Sequence, residues 1–362
     1  MQTPASLGYR MPAEWDQHAA TWLSWPKNRE TFPGAILRKV EETYARMVEA
    51  LTSGEEVWLL VDDEKMEERA KSRIKPSRNV TFVRHRTADV WVRDYAPIAL
   101  RGNDLCLTKW EFNAWGNKYD DLKPDDESGR ALAEATGLRT FEPEMVLEGG
   151  SVDVNGKGTL ITTEQCLLNK NRNPGLTKRA IEWRLRANLG ATHVVWLGEG
   201  IAGDDTDGHV DDVARFVTPD ALVVAWEPND SDVNHLPLAK NLERIRNSLD
   251  QDGEIYDVVT VPMPPPLLSA YGRLPASHLN FYIGNAAVLV PTFGGPSDDN
   301  VLGTIKGYFP DRDVVGIDCR ALVHGLGTIH CVTQQVPSGL RRPVVTGRKR
   351  PSLSSRRRSP RG

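Results

Sequence analysis

Short apolar runs recur along this chain, and most of them are rich in β-branched residues, as buried strands are. One set recurs at intervals of roughly 50–65 residues, a periodicity that favours a repeat architecture. This first set consists of VWLLV (57–61), LCLTKW (105–110), TLITTEQ (159–165), ALVVAWE (221–227) and AAVLVPTF (286–293). A second set lies between these runs and consists of NVTFVR (79–84), THVVWLG (192–198), DVVTVPM (257–263) and RDVVGID (312–318).

Amphipathic stretches between the runs predict helices. In 37–54 apolar residues recur every three or four positions, and Gly54 closes the stretch. The same pattern fills 236–250, and 173–190 ends on Gly190, a residue typical of the position after a helix. About five strand–helix–strand units result, which predict an α/β protein built as a ring of repeats. Such a ring also explains how one domain could span residues 1–337, since a single compact core rarely exceeds ~250–300 residues.

Composition narrows the class of protein. Of the 362 residues, 40% are apolar and 26% are charged, a balance that excludes collagen-like and wholly disordered chains. No apolar run approaches the ~20 residues of a membrane-spanning helix, and the N-terminus lacks the pattern of a signal peptide. We therefore expect a cytoplasmic protein without a membrane partner.

The net charge of −4 hides an asymmetry between the body and the C-terminus. Residues 338–362 carry nine Lys and Arg and no acidic residue, whereas residues 1–337 hold 36 basic and 49 acidic residues, a net charge of −13. The tail has too few apolar residues to fold alone, so we expect it to be disordered. A solvated tail or foreign sequence at the C-terminus is the simpler interpretation, and an arm that binds nucleic acid or an acidic surface is the alternative.

Four cysteines occur, and none of them forms a CxxC pair. The spacing of a structural zinc site is therefore absent. In a chain of this length they are expected to be free thiols in a reducing compartment, which leaves one of them open as a nucleophile.

The densest polar segment is GDDTDGHVDDVARF (203–216). In an extended chain, His209 and Asp211 would face the same way, because residues two apart share a face. The segment could be a metal site, an acid/base pair or a cation site. It could also be an acidic loop that caps a neighbouring helix.

Two further segments place a carboxylate in unusual surroundings. In VWVRDYAP (90–97), Asp94 follows Arg93 between aromatic residues, which fits either an internal salt bridge or a carboxylate directed into a pocket. In LEGGSVDVNGKGTL, Glu148 precedes two glycines, which fits a hairpin with a solvated glutamate. A phosphate-binding loop is not expected there, because the pattern is not GxGxxG.

The last polar segment, HGLGTIHCVTQQVP (324–337), contains Cys331 next to His330. A lone buried cysteine is most often inert packing. If the segment is a strand, adjacent residues face opposite ways, so His330 is a poor base for Cys331 and the histidine must come from elsewhere.

Together the four segments supply a cysteine, a histidine and at least three carboxylates. Carboxylates bind a guanidinium fork to fork, and its planar carbon is then open to a thiolate. This combination favours cysteine attack on a cationic amidine or guanidine.

At this point the segments can be read together, and the chain resembles the agmatine deiminase family, a branch of the guanidino-group-modifying enzymes that includes bacterial-type peptidylarginine deiminases. The resemblance spans residues 11–337 in family order, and its stretches are rich in Trp, Gly and Asn. They are MPAEWDQHAATWLSWPKNRETFPG (11–34), VWVRDYAP (90–97), KWEFNAWGNKY (109–119), LEGGSVDVNGKGTLITTEQCLLNKNRNP (147–174), GDDTDGHVDDVARF (203–216), ASHLNFYIGNAAVLVPTFG (276–294) and GTIHCVTQQVP (327–337).

The resemblance implies a five-bladed α/β propeller, the pentein fold, with the active site near its pseudo-symmetry axis. It implies Cys331 as nucleophile, His209 as general acid/base, and Asp94 and Asp211 as guanidinium ligands, with Glu148 lining the same pocket. It further implies catalysis without a metal or organic cofactor. The reaction implied is hydrolysis of agmatine to N-carbamoylputrescine and ammonia, a step of putrescine and polyamine biosynthesis. Assembly into a homo-oligomer is compatible with the sequence.

Three alternatives are also compatible with these residues. The substrate could be free arginine, peptidyl-arginine or another small guanidine. The chain could be a metallohydrolase that uses His209 with Asp207, Asp211 or His330. It could also be a scaffold that binds polycations on its acidic body or nucleic acid through its tail.

Overall fold

The structure, a computed structural model, describes residues 2–270 and 272–340. Eighteen strands are found within these residues. They are β1 (His18–Ser24), β2 (Glu56–Val61), β3 (Val80–Arg84), β4 (Ile98–Arg101), β5 (Leu105–Thr108), β6 (Thr140–Phe141), β7 (Asp153–Val154), β8 (Thr159–Thr163), β9 (His193–Leu197), β10 (Ala214–Phe216), β11 (Ala221–Trp226), β12 (Asp257–Pro262), β13 (Leu268–Ser269), β14 (Gly272–Arg273), β15 (Tyr282–Ile283), β16 (Ala287–Thr292), β17 (Asp313–Asp318) and β18 (Gln334–Pro337).

Nine α-helical segments accompany these strands in the described ranges, four of them only one or two turns long. They are α1 (Ile36–Leu51), α2 (Glu64–Lys71), α3 (Val92–Tyr95), α4 (Ala114–Asn117), α5 (Asp125–Thr136), α6 (Glu164–Leu167), α7 (Lys178–Leu189), α8 (His235–Arg246) and α9 (Ser297–Tyr308).

Five sheets in the described part of the chain share one strand order. In each, a first strand runs antiparallel to a central strand, and the central strand runs parallel to a third strand. The sheets are β18–β1–β2, extended by β3, then β4–β5–β6, β7–β8–β9, β10–β11–β12 and β15–β16–β17. A helix connects the central strand to the third in every case, because parallel neighbours need a long crossover. These helices are α1, α5, α7, α8 and α9.

One sheet is completed by the two ends of the chain. The C-terminal strand β18 pairs antiparallel with β1, with Pro337 opposite His18 and Gln334 opposite Trp22. The first strand of this sheet therefore comes from the end of the chain, whereas its central and third strands come from the beginning.

The predicted repeat agrees with this topology, since all nine predicted runs overlap strands. The helices at 37–54 and 173–190 were also predicted correctly, and Gly190 follows α7 with a φ of 72°. Two details were wrong, since residues 164–165 belong to a helix and α8 ends at Arg246, before Leu249 of the predicted apolar face. Several elements were not predicted, among them the central strand β1, the third strand β6 and the connecting helices α5 and α9.

Apolar side chains from the sheets and connecting helices form the core. Val40, Tyr44, Met47 and Leu51 of α1 are all buried, as their spacing predicts. No helix of the described residues is long and apolar enough to cross a membrane. Apart from residues 338–340, the predicted basic tail lies outside the described residues.

Candidate active site

Six polar side chains occupy equivalent positions, a few residues before the first strand of a sheet. Each is at most 5% exposed. They are Asp94 before β4, Glu148 before β7, His209 and Asp211 before β10, Asn280 before β15 and Cys331 before β18. Because the five sheets have the same strand order, these loops lie at equivalent ends of their sheets.

Gly150 shows how closely three of these loops approach one another. A Cβ atom at Gly150 would lie 2.5 Å from Nδ1 of His209, 3.0 Å from Oδ2 of Asp211 and 3.1 Å from Oδ1 of Asp94. A side chain at this position would therefore displace the cluster, and only glycine permits the approach.

The Asp94 carboxylate is held by neutral donors. Its Oδ1 accepts a hydrogen bond from the Gly150 amide at 3.1 Å, and its Oδ2 accepts one from Nε1 of Trp115 at 2.9 Å. Burial raises the pKa of Asp94 to about 6, with His209 opposing the shift and the negative charge of Glu148 adding to it. The Asp94 carboxylate thus accepts hydrogen bonds from neutral donors and lacks a hydrogen bond from a cationic side chain in the described residues.

The His209 ring lies between two carboxylates without a close contact to either. Its Nδ1 is 3.9 Å from Oδ1 of Asp94, and its Nε2 is 4.0 Å from Oε2 of Glu148. Within the described residues, neither ring nitrogen nor that Glu148 oxygen has a hydrogen-bond partner. Burial alone would lower the pKa of His209, but Asp94, Cys166 and Asp211 outweigh it and raise the pKa well above its usual range. The raised pKa favours the protonated ring, an imidazolium.

The other oxygen of Glu148 is fixed from behind. Oε1 accepts a hydrogen bond from Nε of Arg172 at 2.6 Å, and both side chains are fully buried. Arg172 also donates to Oδ2 of Asp207 at 2.7 Å. Arg172 thus orients Glu148 so that Oε2 faces His209.

The Asp211 carboxylate is oriented by His330, the residue beside the cysteine. Nδ1 of His330 lies 2.6 Å from Oδ2 of Asp211, while Oδ1 has no partner among the described residues. Burial would raise the pKa of Asp211, but this hydrogen bond and the charges of His330, His209 and Arg215 lower it. Asp211 therefore stays ionised in the buried site.

The Cys331 thiol contacts an amide and a carboxylate. Nδ2 of Asn280 lies 3.1 Å from its Sγ, and Oδ2 of Asp211 lies 3.8 Å away. Oδ1 of Asn280 accepts hydrogen bonds from the backbone amides of His330 and Cys331 at 3.0 and 3.3 Å, which fixes the loop. Burial and then the charges of Asp211, Asp212 and Asp94 raise the pKa of Cys331 well above its usual range. The raised pKa favours the neutral thiol in the absence of a bound cation.

A second layer of charges centres on Glu14, a residue that the sequence analysis did not single out. Its Oε1 accepts from Arg215 and from the backbone amide of Ile283, both at 2.9 Å. Its Oε2 accepts from Nε2 of His330 at 2.8 Å and from Arg93 at 3.3 Å. One buried carboxylate thus joins segments of four sheets, and through His330 it is linked to Asp211.

A family model described as Porphyromonas-type peptidyl-arginine deiminase matches residues 10–337. The chain belongs to this family. A Legionella pneumophila protein that carries agmatine deiminase as its provisional name is 36% identical over 337 residues, which are 92% of this chain and 97% of that protein.

Solved structures of family relatives have the same fold. The agmatine deiminase of Enterococcus faecalis is 30% identical, with a TM-score of 0.87 over 93% of this chain and 98% of that chain. A cysteine-to-serine variant of the C. jejuni agmatine deiminase with substrate bound is also 30% identical, with a TM-score of 0.83 over 92% of this chain and 97% of that chain. The mixed α/β fold predicted from the family resemblance is thereby confirmed.

The structure brings together all five residues that the family resemblance pointed to: Cys331, His209, Asp94, Asp211 and Glu148. Several local expectations were nevertheless wrong. Glu148 is fully buried instead of solvated, and Arg93 pairs with Glu14 instead of Asp94. Residues 210–212 form a 3₁₀ turn instead of an extended segment, although His209 and Asp211 do face the same side, since both lie within 3.0 Å of a Cβ atom at Gly150.

His330 was expected to face away from Cys331 on a strand. It lies in a turn before β18, and its ring contacts the Asp211 carboxylate. His330 and Asn280 both lie in stretches that resemble the family, at 327–337 and 276–294, but the resemblance assigned neither of them a role. Glu14 lies in the MPAEW stretch, and no local pattern there indicates burial among arginines.

Asp207, His330 and one oxygen of Asp211, three of the donors expected for a metallohydrolase, are engaged by protein partners. Asp207 accepts hydrogen bonds from Arg172 and Asn171, and Asp211 and His330 bind each other. These contacts do not favour a metal held by His209 with those three residues.

Proposed function

We propose that this chain is an agmatine deiminase, which hydrolyses agmatine to N-carbamoylputrescine and ammonia, a step of putrescine biosynthesis. One observation carries the proposal: a buried thiol and an imidazolium lie among carboxylates whose oxygens Asp211 Oδ1 and Glu148 Oε2 have no partner in the described chain. A planar guanidinium supplies the donors that these oxygens lack. The relatives whose names state this activity support the choice of agmatine.

We also propose that the five sheets form a five-bladed propeller around a pseudo-fivefold axis. Two regularities support it, namely the shared strand order and the placement of every site residue before a first strand. In such a ring the equivalent loops meet at the axis, which is where a shared site would form.

Substrate binding is assigned to Asp94, Asp211 and Glu148. Asp94 and Asp211 clamp the guanidinium, and Glu148 contacts it from the third loop. Bidentate pairing holds the central carbon in a fixed plane, in line for attack by a nearby nucleophile. The positive charge also offsets the carboxylates that keep the Cys331 thiol neutral.

The first chemical step forms a bond between carbon and sulfur. The bound cation lowers the pKa of Cys331, and Oδ2 of Asp211, 3.8 Å from the sulfur, is placed to take the thiol proton. The thiolate attacks the guanidinium carbon, and the electron pair of the C–N double bond moves to nitrogen. His209 then donates its proton to the leaving nitrogen, ammonia departs, and a thiouronium remains on Cys331.

The second step returns the enzyme to its starting state. Neutral His209 takes a proton from water, and the hydroxide adds to the thiouronium carbon. The C–S bond breaks with its electron pair on sulfur, and Asp211 returns to that sulfur the proton that it took in the first step. Loss of one further proton, from the new carbonyl oxygen, leaves the ureido product. That proton leaves with ammonia as ammonium, so charge balances over the cycle.

Ammonia release tests the proposal across agmatine, free arginine, a peptidyl-arginine substrate and simple guanidines. We expect activity on agmatine and none with Cys331→Ala. If activity is confined to peptidyl-arginine, the substrate in the family's description, then peptidyl-arginine and not agmatine is the substrate. Failure on every guanidine would refute the function.

The catalytic unit is assigned to residues 1–337, with 338–362 as a dispensable tail. We expect a chain that ends at residue 340 to release ammonia at the full rate. A salt-sensitive gain of RNA binding by the full chain would instead favour the nucleic-acid arm. The four cysteines are free thiols, which supports a cytoplasmic location.

A further inference from the structure

Cys166 is a second thiol at the candidate active site, and the mechanism above does not use it. It lies on α6, directly after the central strand β8, and it is fully buried. Its sulfur, one imidazole nitrogen of His209 and one carboxylate oxygen of Glu148 all lie within 4.8 Å of one another. The three side chains come from three separate chain segments, so their meeting is a product of the fold.

Two of these groups have unused coordination sites. Oε2 of Glu148 and both ring nitrogens of His209 lack a hydrogen-bond partner in the described chain, although both residues are fully buried. Buried polar atoms are nearly always satisfied, so such a group points to a ligand. Oε2 lies 4.0 Å from Nε2, too far for a hydrogen bond.

The donor set has the composition of a zinc site. One thiolate, one imidazole and one carboxylate are all ligands that Zn²⁺ binds, and three protein ligands leave a fourth position open. Ligands about 2.1 Å from a tetrahedral ion lie about 3.4 Å apart, so the Glu148 and His209 atoms would need to approach by about 0.6 Å.

The charges near the triad also fit a divalent cation. Arg172 neutralises only Oε1 of Glu148, and Asp94 lies 3.9 Å from the other ring nitrogen of His209. On binding, the ion would displace the thiol proton of Cys166 and the ring proton of His209.

We propose that Glu148, Cys166 and His209 form an inhibitory site for Zn²⁺. The metal occupies the side chains that the proposed function assigns to the guanidinium and to proton transfer. It therefore competes with the cationic substrate, and this kinetic part of the inference rests on the proposed function. Metal binding itself does not depend on that function.

Cobalt spectroscopy tests the binding without activity. Cys331→Ala protein removes the other thiol of the site, and Co²⁺ is added to it. We expect a sulfur-to-cobalt charge-transfer band and visible bands of tetrahedral intensity, both displaced by Zn²⁺. Adding Cys166→Ser should remove the charge-transfer band, whereas adding Cys106→Ser, a buried cysteine of the same apolar cluster, should leave it unchanged.

Two outcomes of this titration overturn the proposal. One is no bound Co²⁺ or Zn²⁺ in Cys331→Ala protein by spectroscopy and calorimetry. The other is a charge-transfer band that persists in folded Cys331→Ala/Cys166→Ser protein. If the Cys166→Ser change prevents folding, X-ray absorption of Zn²⁺ bound to Cys331→Ala protein shows whether a sulfur atom ligates the ion. One sulfur at about 2.3 Å with nitrogen and oxygen near 2.1 Å supports the site, and a shell without sulfur refutes it.

Kinetics test the inhibitory part on enzyme with Cys331 intact. We expect Zn²⁺ to raise KM for the guanidine without changing kcat, and Cys166→Ser to need at least about tenfold more Zn²⁺ than Cys106→Ser. Equal sensitivity of the two variants would assign the inhibition to Cys331. If no guanidine is turned over, the proposed function fails while the cobalt experiment still tests the metal site.

Discussion

Replacing Glu14 with glutamine tests whether one buried carboxylate holds the site together. Glu14 is 5% exposed and accepts hydrogen bonds from Arg93, Arg215 and His330. The substitution keeps the shape of the side chain and removes its charge. Arg93 would then lose its one ion-pair partner in the described chain, and Arg215 would keep only Asp153.

Removing one partner of a buried ion pair costs about 3–5 kcal/mol, because the remaining charge is left uncompensated. Two guanidiniums depend on Glu14, so we expect Glu14→Gln to lower the free energy of unfolding by that amount. The free energy of unfolding of a whole domain is about 5–15 kcal/mol, so a loss of this size should be measurable in a denaturant titration. Tryptophan fluorescence reports it, since the chain contains 10 Trp.

Glu30→Gln is the matched control, because Glu30 is an exposed carboxylate. Its effect should stay within about 0.5 kcal/mol. A loss below about 1 kcal/mol for Glu14→Gln would refute the reasoning, because it would show that Arg93 and Arg215 do not depend on this charge.

The pH dependence provides a second test of the same group. Burial would raise the pKa of Glu14, but Arg215, His330 and Arg93 outweigh it and hold the pKa well below its usual range. A carboxyl group with a lowered folded pKa stabilises the protein above its unfolded pKa of about 4.3 and loses that contribution as the pH falls further. The difference between wild type and Glu14→Gln should therefore be complete at neutral pH and shrink below about pH 4.

Three further predictions concern the site. Cys331→Ala should abolish ammonia release yet keep guanidine binding in calorimetry, since the carboxylates remain, and measurable turnover would contradict covalent catalysis. Because burial raises the pKa of Asp94 to about 6, kcat/KM should fall about tenfold per pH unit below that value as the guanidinium ligand is protonated, and a flat profile down to pH 5 would refute this role. Gly150→Ala would place a Cβ 2.5 Å from His209 and should lower kcat/KM by about 100-fold or more, whereas Gly303→Ala, whose Cβ meets nothing within 4 Å, should not change it.

The repeated units could be predicted because their signals are local. Most central and third strands are short apolar runs, and the helices α1, α7 and α8 between them have an apolar face. The central strand β1, the two-residue third strand β6 and the helices α5 and α9 gave no such signal and were not predicted. The first strands β7 and β15 have only two residues each, too short for any periodicity. The loops that carry the site precede these short strands, so their convergence was not visible from the pattern.

The site residues were identified through the family resemblance. Their spacing alone was equally compatible with purely structural roles, such as a salt bridge, a solvated turn or a packed cysteine. Glu148 shows why, since a glutamate beside two glycines resembles a solvated turn until Arg172, 24 positions away, is placed behind it. Glu14 is a stronger case, because its contact with His330 joins residues 316 positions apart. Burial of a charge depends on such distant partners, and no local pattern records them.

The pairing of β18 with β1 has a consequence during synthesis on the ribosome. Cys331, the proposed nucleophile, lies three residues before the strand that completes the first sheet, so a growing chain contains the carboxylates of the site long before it contains this thiol. Until residues 334–337 emerge, one edge of β1 is open to pairing with other chains. Translation that stops just short of this strand would therefore leave the first sheet incomplete and its product prone to aggregation, so the last strand completes the fold.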